Sequence, residues 1–165
     1  MSFDPFPNQT AANFNPLSPS TEEYSCFSWA LQVTNQVIWP DDDDDHAWAV
    51  DMPRDETVGS FQAFSERAGF EQCQTDAAEA GYEKIAFYTQ NGLVKHVARL
   101  QPNGRWTSKM GEGADGEHPT LAVFEGPGFG YVTLIMRRRN TGPPKLPELF
   151  PKPALIVTPR GGRLL

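Results

Sequence analysis

Three features of the 165-residue sequence have the residue types for nucleophilic chemistry: Cys26 near a predicted helix start, His96 on a predicted strand, and a polar loop holding Asp115 and His118. A cysteine attacks as its thiolate, and the positive end of a helix favours that charge. The proton needs a base within hydrogen-bond reach, and an imidazole projecting from a rigid strand suits the task. A third polar group must then accept from the other ring nitrogen to hold the tautomer. An ionised Asp115 is the stronger orienting group on chemical grounds, because a neutral His118 accepts through one nitrogen and carries no charge. His118 precedes Pro119, which stiffens its backbone, whereas Asp115 lies among Gly111, Gly113 and Gly116. On that ground His118 is the expected third residue, with Asp115 as the alternative.

Other side chains have more than one reading. Trp106 and Ser108 are two apart on a predicted strand, so they share a face and can line a substrate cleft, with Lys109 on the other face. Core packing is the competing role for Trp106. Arg99 either clamps a substrate carboxylate or is a plain surface residue. The run Asp41 to Asp45, followed by His46, repels itself and belongs in a solvated loop; it lacks the alternating ligands, central Gly and distal Glu of a calcium loop. Neither Cys26 nor Cys73 has zinc-finger spacing to a histidine, so no metal and no cofactor is expected. Gly126 to Gly130 is glycine-rich but leads into a strand without a Lys-Ser/Thr ending, and reads as a turn.

The elements that position these groups follow from period and punctuation. Ser20-Thr21-Glu22-Glu23 forms a candidate capping box, and a helix starting there or at Ser25 places Cys26, Trp29, Ala30 and Val33 on one stripe. A second helix starts with Asp55 as N-cap, buries Val58, Phe61, Phe64 and Ala68, and closes at Gly69. From Lys84 the period becomes two. Strands are expected at 84–88, 93–100, 106–110 and 131–137, with Asn91-Gly92 and Asn103-Gly104 as hairpin turns and 111–116 as loop. Leu155 to Val157 is a further candidate strand. The organisation is an extended arm at 1–19, a domain at 20–139 and a Pro-rich basic tail at 140–165.

Composition narrows the function. The net charge is −7, with 39% apolar residues, and the length suits one domain. An acidic total argues against nucleic-acid binding, and no apolar run approaches the ~20 residues of a membrane span. No basic, apolar leader opens the chain, so a cytoplasmic location is expected. Residues 137–165 hold seven basic residues against Glu148, on an otherwise acidic chain. The tail is therefore expected to dock across the acidic body by charge rather than enter the core.

Several motifs together resemble an uncharacterised bacterial domain family: Cys26-Phe27-Ser28-Trp29-Ala30, Lys84 to Tyr88, His96 to Arg99, Gly104 to Gly111 and Asp115 to His118. The order of helix-borne Cys, strand His and a further polar residue also resembles papain-like cysteine hydrolases, the NlpC/P60 and CHAP amidase groups most of all. That resemblance implies an α+β papain-like fold with N-terminal helices packed on an antiparallel sheet. It implies a thiol hydrolase in which Cys26 attacks a peptide, isopeptide or glutamine amide and His96 serves as base and then acid. In the NlpC/P60 group the third residue falls about where Ser108 lies. Serine orients an imidazole poorly, which passes the role to Asp115 or His118; a histidine often fills this place in those families. The alternative is a non-catalytic module, immunity-like or adaptor, that uses the cleft or the acidic face to hold a protein partner.

Overall fold

The computed structural model describes residues 4–150. Its framework is a seven-stranded sheet in which every pairing is antiparallel: β1 (Asn15–Pro16), β2 (Glu71–Gln72), β3 (Tyr82–Gln90), β4 (Leu93–Leu100), β5 (Trp106–Lys109), β6 (Asp115–His118) and β7 (Tyr131–Arg139). The order across the sheet is β1-β6-β5-β4-β3-β7-β2. Three short helices accompany it, α1 (Cys26–Ala30), α2 (Val58–Arg67) and α3 (Leu146–Leu149), with a 3₁₀ turn at Leu121–Phe124.

This corrects the expected α+β, papain-like (NlpC/P60-like) architecture with N-terminal helices packed on an antiparallel sheet. Among the described residues the regular structure is mostly antiparallel sheet, and 16% of them are helical. Two physical causes account for the difference. The helical stripe predicted through Val33 ends after five residues, because Leu31 caps α1 and Gln32 turns the chain at a φ of +62°. The sheet also gains strands where no period was visible. The two-residue strand β1 lies in the segment read as arm, β2 in a stretch to which no element was assigned, and β6 starts in the segment read as loop.

The central meander forms for the reasons its sequence advertises. Asn91 and Gly92 both have positive φ (+54° and +78°), the requirement of a two-residue type I′ hairpin. The second Asn-Gly closes differently. Gly104 alone is left-handed (φ +82°), and it follows a turn in which its N–H donates to the Gln101 carbonyl. The N-cap of α2 is Thr57 rather than Asp55. The Asp55 carboxylate instead accepts from the Thr57 and Ser60 hydroxyls, and Gly69 closes the helix at a φ of +101°.

Alternation along the strands divides the interior into two apolar clusters. Ile85, Phe87, Val97, Leu134 and Met136 join Cys26, Phe27, Phe61 and Phe64 from α1 and α2. Ala86, Tyr88, Ala98, Leu100 and Trp106 face the other way, toward Leu121, Val123 and Phe124. Phe6 and Phe14 from the N-terminal arm pack against this second cluster. The described part of the tail is anchored by apolar contact: Leu149 is buried in the first cluster, with Leu146 and Phe150 packed against it. The candidate strand at 155–157 lies outside the described residues.

Candidate functional site

Cys26 is the first residue of α1 because Ser25 caps the helix. The Ser25 hydroxyl oxygen accepts from the Ser28 N–H at 3.0 Å while its O–H donates to the Ile38 carbonyl at 2.8 Å. Ser28 accepts in turn from the Ile38 N–H at 2.7 Å, which ties this short helix to the chain after it. The Cys26 side chain is 8% exposed. Burial pushes its thiol up to about 11, against the opposing pull of the N–H groups of Val97, Phe27 and Cys26 itself and the nearby Lys109 charge. The N–H of Val97 among these places the sulfur beside β4, one residue from His96. Cys26 and His96 both line a cleft of about 610 Å³, along with Tyr24, Trp39 and Phe129. No hydrogen bond joins the sulfur to the imidazole among the described residues.

His96 is 1% exposed and lies opposite Tyr88 in the β3–β4 register. Phe129 stacks on its ring at a centroid distance of 4.2 Å and an interplanar angle of 7°, which fixes the ring plane. Its Nε2 is 2.8 Å from Ser108 Oγ on β5, and the same oxygen is 2.8 Å from His118 Nε2 on β6. The line ends where His118 Nδ1 meets the Thr120 carbonyl at 2.9 Å.

The direction of the protons follows from that last contact. A carbonyl only accepts, so His118 Nδ1 carries hydrogen. Burial holds His118 down at about 4, so its Nε2 is bare at neutral pH and accepts from the Ser108 hydroxyl. The Ser108 oxygen then accepts from His96 Nε2–H. Burial, with the neighbouring His118 adding to it, holds His96 at about 3, so its Nδ1 is an unprotonated acceptor. That nitrogen makes no hydrogen bond among the described residues. A general base needs such a free lone pair on a nitrogen of fixed orientation.

Of the two candidates for the third position, the structure brings His118 to His96 through Ser108. Asp115 lies opposite Lys109 on β6. Its Oδ2 accepts from the Tyr24 hydroxyl at 2.5 Å, and its Oδ1 is buried without a partner. Desolvation and the Asp115 bond push the Tyr24 phenol up to about 12. Trp106 is buried in the second apolar cluster, and Arg99 lies over the Trp29 ring with its Nε unpartnered; among the described residues neither lines the cleft.

Sequence reasoning missed Tyr24 and Phe129, and it set Lys109 on the face away from the cleft without a role. Lys109 is fully buried, and its ammonium donates to the carbonyls of Thr21, Gly111 and Gly113 at 2.5–2.7 Å, joining the segment before α1 to the β5–β6 turn. Tyr24 was two residues from Cys26 and Lys109 next to Ser108, but only the fold reveals what each touches. The acidic run is held in place: the Asp41 carboxylate is 2.8 Å from His46 Nδ1, and Arg54 donates to the carbonyls of Asp43 and His46. Among the described residues no group of three or more His, Cys, Asp or Glu is arranged to hold a metal ion. No helix there is long and apolar enough to cross a membrane.

Fold and site together define an antiparallel-sheet domain with a cysteine and a histidine on one cleft. The chain belongs to a family described as a domain of unknown function, DUF7689, whose model matches residues 16–137. No curated protein matches the chain, and no solved structure does.

Proposed function

We propose that this domain is a thiol hydrolase of peptide or protein amides, working in the cytoplasm through Cys26 and His96. The observation that carries the reading is the hydrogen-bonded line Thr120–His118–Ser108–His96, which leaves His96 Nδ1 without a partner among the described residues, on a residue that lines the same cleft as Cys26. The resting pair is a neutral thiol and a neutral imidazole, so attack and proton transfer are coupled. Cys26 Sγ bonds to the amide carbon as its proton passes to His96 Nδ1, and the carbonyl π pair moves onto oxygen. The N–H of Cys26 at the helix start can donate to that oxyanion. Collapse of the adduct breaks the C–N bond, His96 Nδ1–H protonates the departing amine, and a thioester remains on Cys26. Water, deprotonated by the same nitrogen, then releases the acid. The likeness to NlpC/P60 and CHAP hydrolases enters only through the order of cysteine, histidine and polar residue, because the fold is not papain-like.

A second reading, a non-catalytic binding module, is favoured by two observations: the Cys26 thiol is buried with its charged form disfavoured, and burial holds His96 at about 3, where it accepts a proton poorly. Reaction with p-nitrophenyl acetate, in a Cys73→Ser background, separates the two. A hydrolase gives a burst of p-nitrophenolate and then turnover, both lost in Cys26→Ala and the turnover reduced at least tenfold in His96→Ala. A binding module gives at most slow acylation that His96→Ala leaves unchanged.

A further inference from the structure

The cleft that Cys26 and His96 share is lined on its remaining sides by Glu22, Asp43, Asp45 and Glu112, with Lys95 as the lysine or arginine among the lining residues. Three separate segments supply these carboxylates: the stretch before α1, the acidic run, and the β5–β6 turn. The Lys109 ammonium binds the first and third of them together through Thr21, Gly111 and Gly113. The acids are not spent on internal ion pairs. Glu22, Asp45 and Glu112 have no ion-pair partner among the described residues, and Asp43 has only His46 Nε2 at 3.5 Å. His46 is already engaged by Asp41. The apolar part of the wall is Val37 with two aromatic rings, Trp39 and Phe129, and Trp39 is fixed by donating its indole N–H to Glu56 at 3.1 Å.

These features have a chemical reading in common. A concave surface with an excess of one sign of charge, here four carboxylates against Lys95, focuses its field into the cleft and raises the local concentration of the opposite charge. An aromatic wall adds a face on which an ammonium or guanidinium gains further attraction. The volume, about 610 Å³, is that of a site for a ligand of two or three residues rather than for a simple ion. His96, only 1% exposed, lines the same space and its Nδ1 has no hydrogen-bond partner among the described residues, so an occupant with an N–H donor suits it.

We propose that the cleft takes a peptide amide bearing a lysine or arginine side chain next to the reacting bond, and that Glu22, Asp45 and Glu112 hold that cation. The inference rests on the hydrolase reading for the word reacting; the charge preference is separable from it. Two probes test the preference without turnover, in the Cys73→Ser background. The first compares modification of Cys26 by 2-aminoethyl and 2-sulfonatoethyl methanethiosulfonate, in which the thiolate attacks the sulfenyl sulfur and methanesulfinate leaves. The ratio of the two rates, divided by that for free cysteine, is expected to favour the cationic reagent at least tenfold at low salt. It is expected to collapse in 0.5 M salt and in Glu22→Gln/Asp45→Asn/Glu112→Gln. The second titrates Cys26→Ala with the acetylated, amidated peptides Gly-Lys-Lys-Gly and Gly-Glu-Glu-Gly, followed by amide shifts of cleft residues. Binding of the lysine peptide alone supports the inference. A normalised ratio near one, a preference for the anionic reagent, or equal binding of the two peptides overturns it. If the preference appears without any p-nitrophenyl acetate burst, the hydrolase reading falls and the cleft stands as a site for basic peptides.

Discussion

Ser108 is the residue on which the His96 arrangement turns, although serine alone is a weak partner for an imidazole. Its single hydroxyl accepts from His96 Nε2–H and donates to His118 Nε2, so the carbonyl of Thr120 sets the tautomer of a ring two links away. Ser108→Ala leaves two buried ring nitrogens facing a methyl group. The expected loss, about 1–3 kcal/mol from unmet hydrogen bonds, is measurable by urea denaturation. His96-dependent reactivity of Cys26 should fall in Ser108→Ala and His118→Ala and be kept in Asp115→Asn, since Asp115 bonds to Tyr24 instead. The buried histidines also set a pH dependence. Both are held below their ordinary value of 6.5, His96 at about 3 and His118 at about 4, so between those values and 6.5 the unfolded chain binds more protons than the folded one. Stability therefore falls as pH drops through 6.5 toward 4, by about 1.4 kcal/mol per pH unit for each histidine once the unfolded state is protonated. Unfolding curves of His118→Gln between pH 7 and 4.5 should show a shallower slope than those of the parent; an unchanged slope would mean that His118 is not buried neutral.

Among the elements, the arm and β6 depend on each other. Asn15 and Pro16 pair with Glu117 and Gly116, and the Phe14 ring rests on Gly116 so closely that a Cβ there would lie 2.6 Å from Phe14 Cζ and 2.7 Å from the Asn15 carbonyl. Glycine at 116 thus serves a close approach of chain to chain, not loop flexibility. Gly116→Val should push the arm off the sheet edge. Faster hydrogen exchange at the Leu17 amide, which donates to the Asp115 carbonyl, would report it. Because Phe14 and Phe124 pack around His118, water admitted there should also raise the His118 pKa toward 6.5, visible as a shifted titration of its ring resonances.

On the scale of the whole molecule, charge and apolar burial divide the work differently from what charge balance alone suggests. Arg137 pairs with Glu71 and Glu79, and Arg138 with Glu83, so these arginines are taken up by the sheet and do not supply charge for docking the tail. The chain beyond them returns to the core through Leu149, fully buried beside α2, while Arg67 holds Asp51 at 2.6 Å. Leu149→Ala should cost about 2–4 kcal/mol, the range for a buried leucine whose cavity does not collapse. The loss should be nearly the same in 0.05 and 0.5 M salt, since apolar packing is not screened. A loss that shrinks in high salt would restore an electrostatic origin for the docking.

Local chemistry determined what could be read without coordinates. Asn91-Gly92 demands positive φ, alternation marks β3 to β5 and β7, and Phe61 and Phe64 mark the buried face of α2; each is decided within a few residues. The candidate nucleophile and base were legible for the same reason, as residue types on recognisable elements. Edge strands of two residues carry no period, and the end of α1 at Gln32 depends on how Ser25 and Ser28 bind Ile38, so the balance of helix and sheet was not legible. Nor was the assignment of His118 over Asp115 to the His96 line. They are three apart on one strand, their side chains leave opposite faces, and only the β5–β6 register places Ser108 between the two imidazoles while Asp115 meets Tyr24. Strand register is a long-range agreement between distant segments, and it is that agreement, made by the tertiary structure, which turns a serine into a bridge and an acidic run into the wall of a cleft.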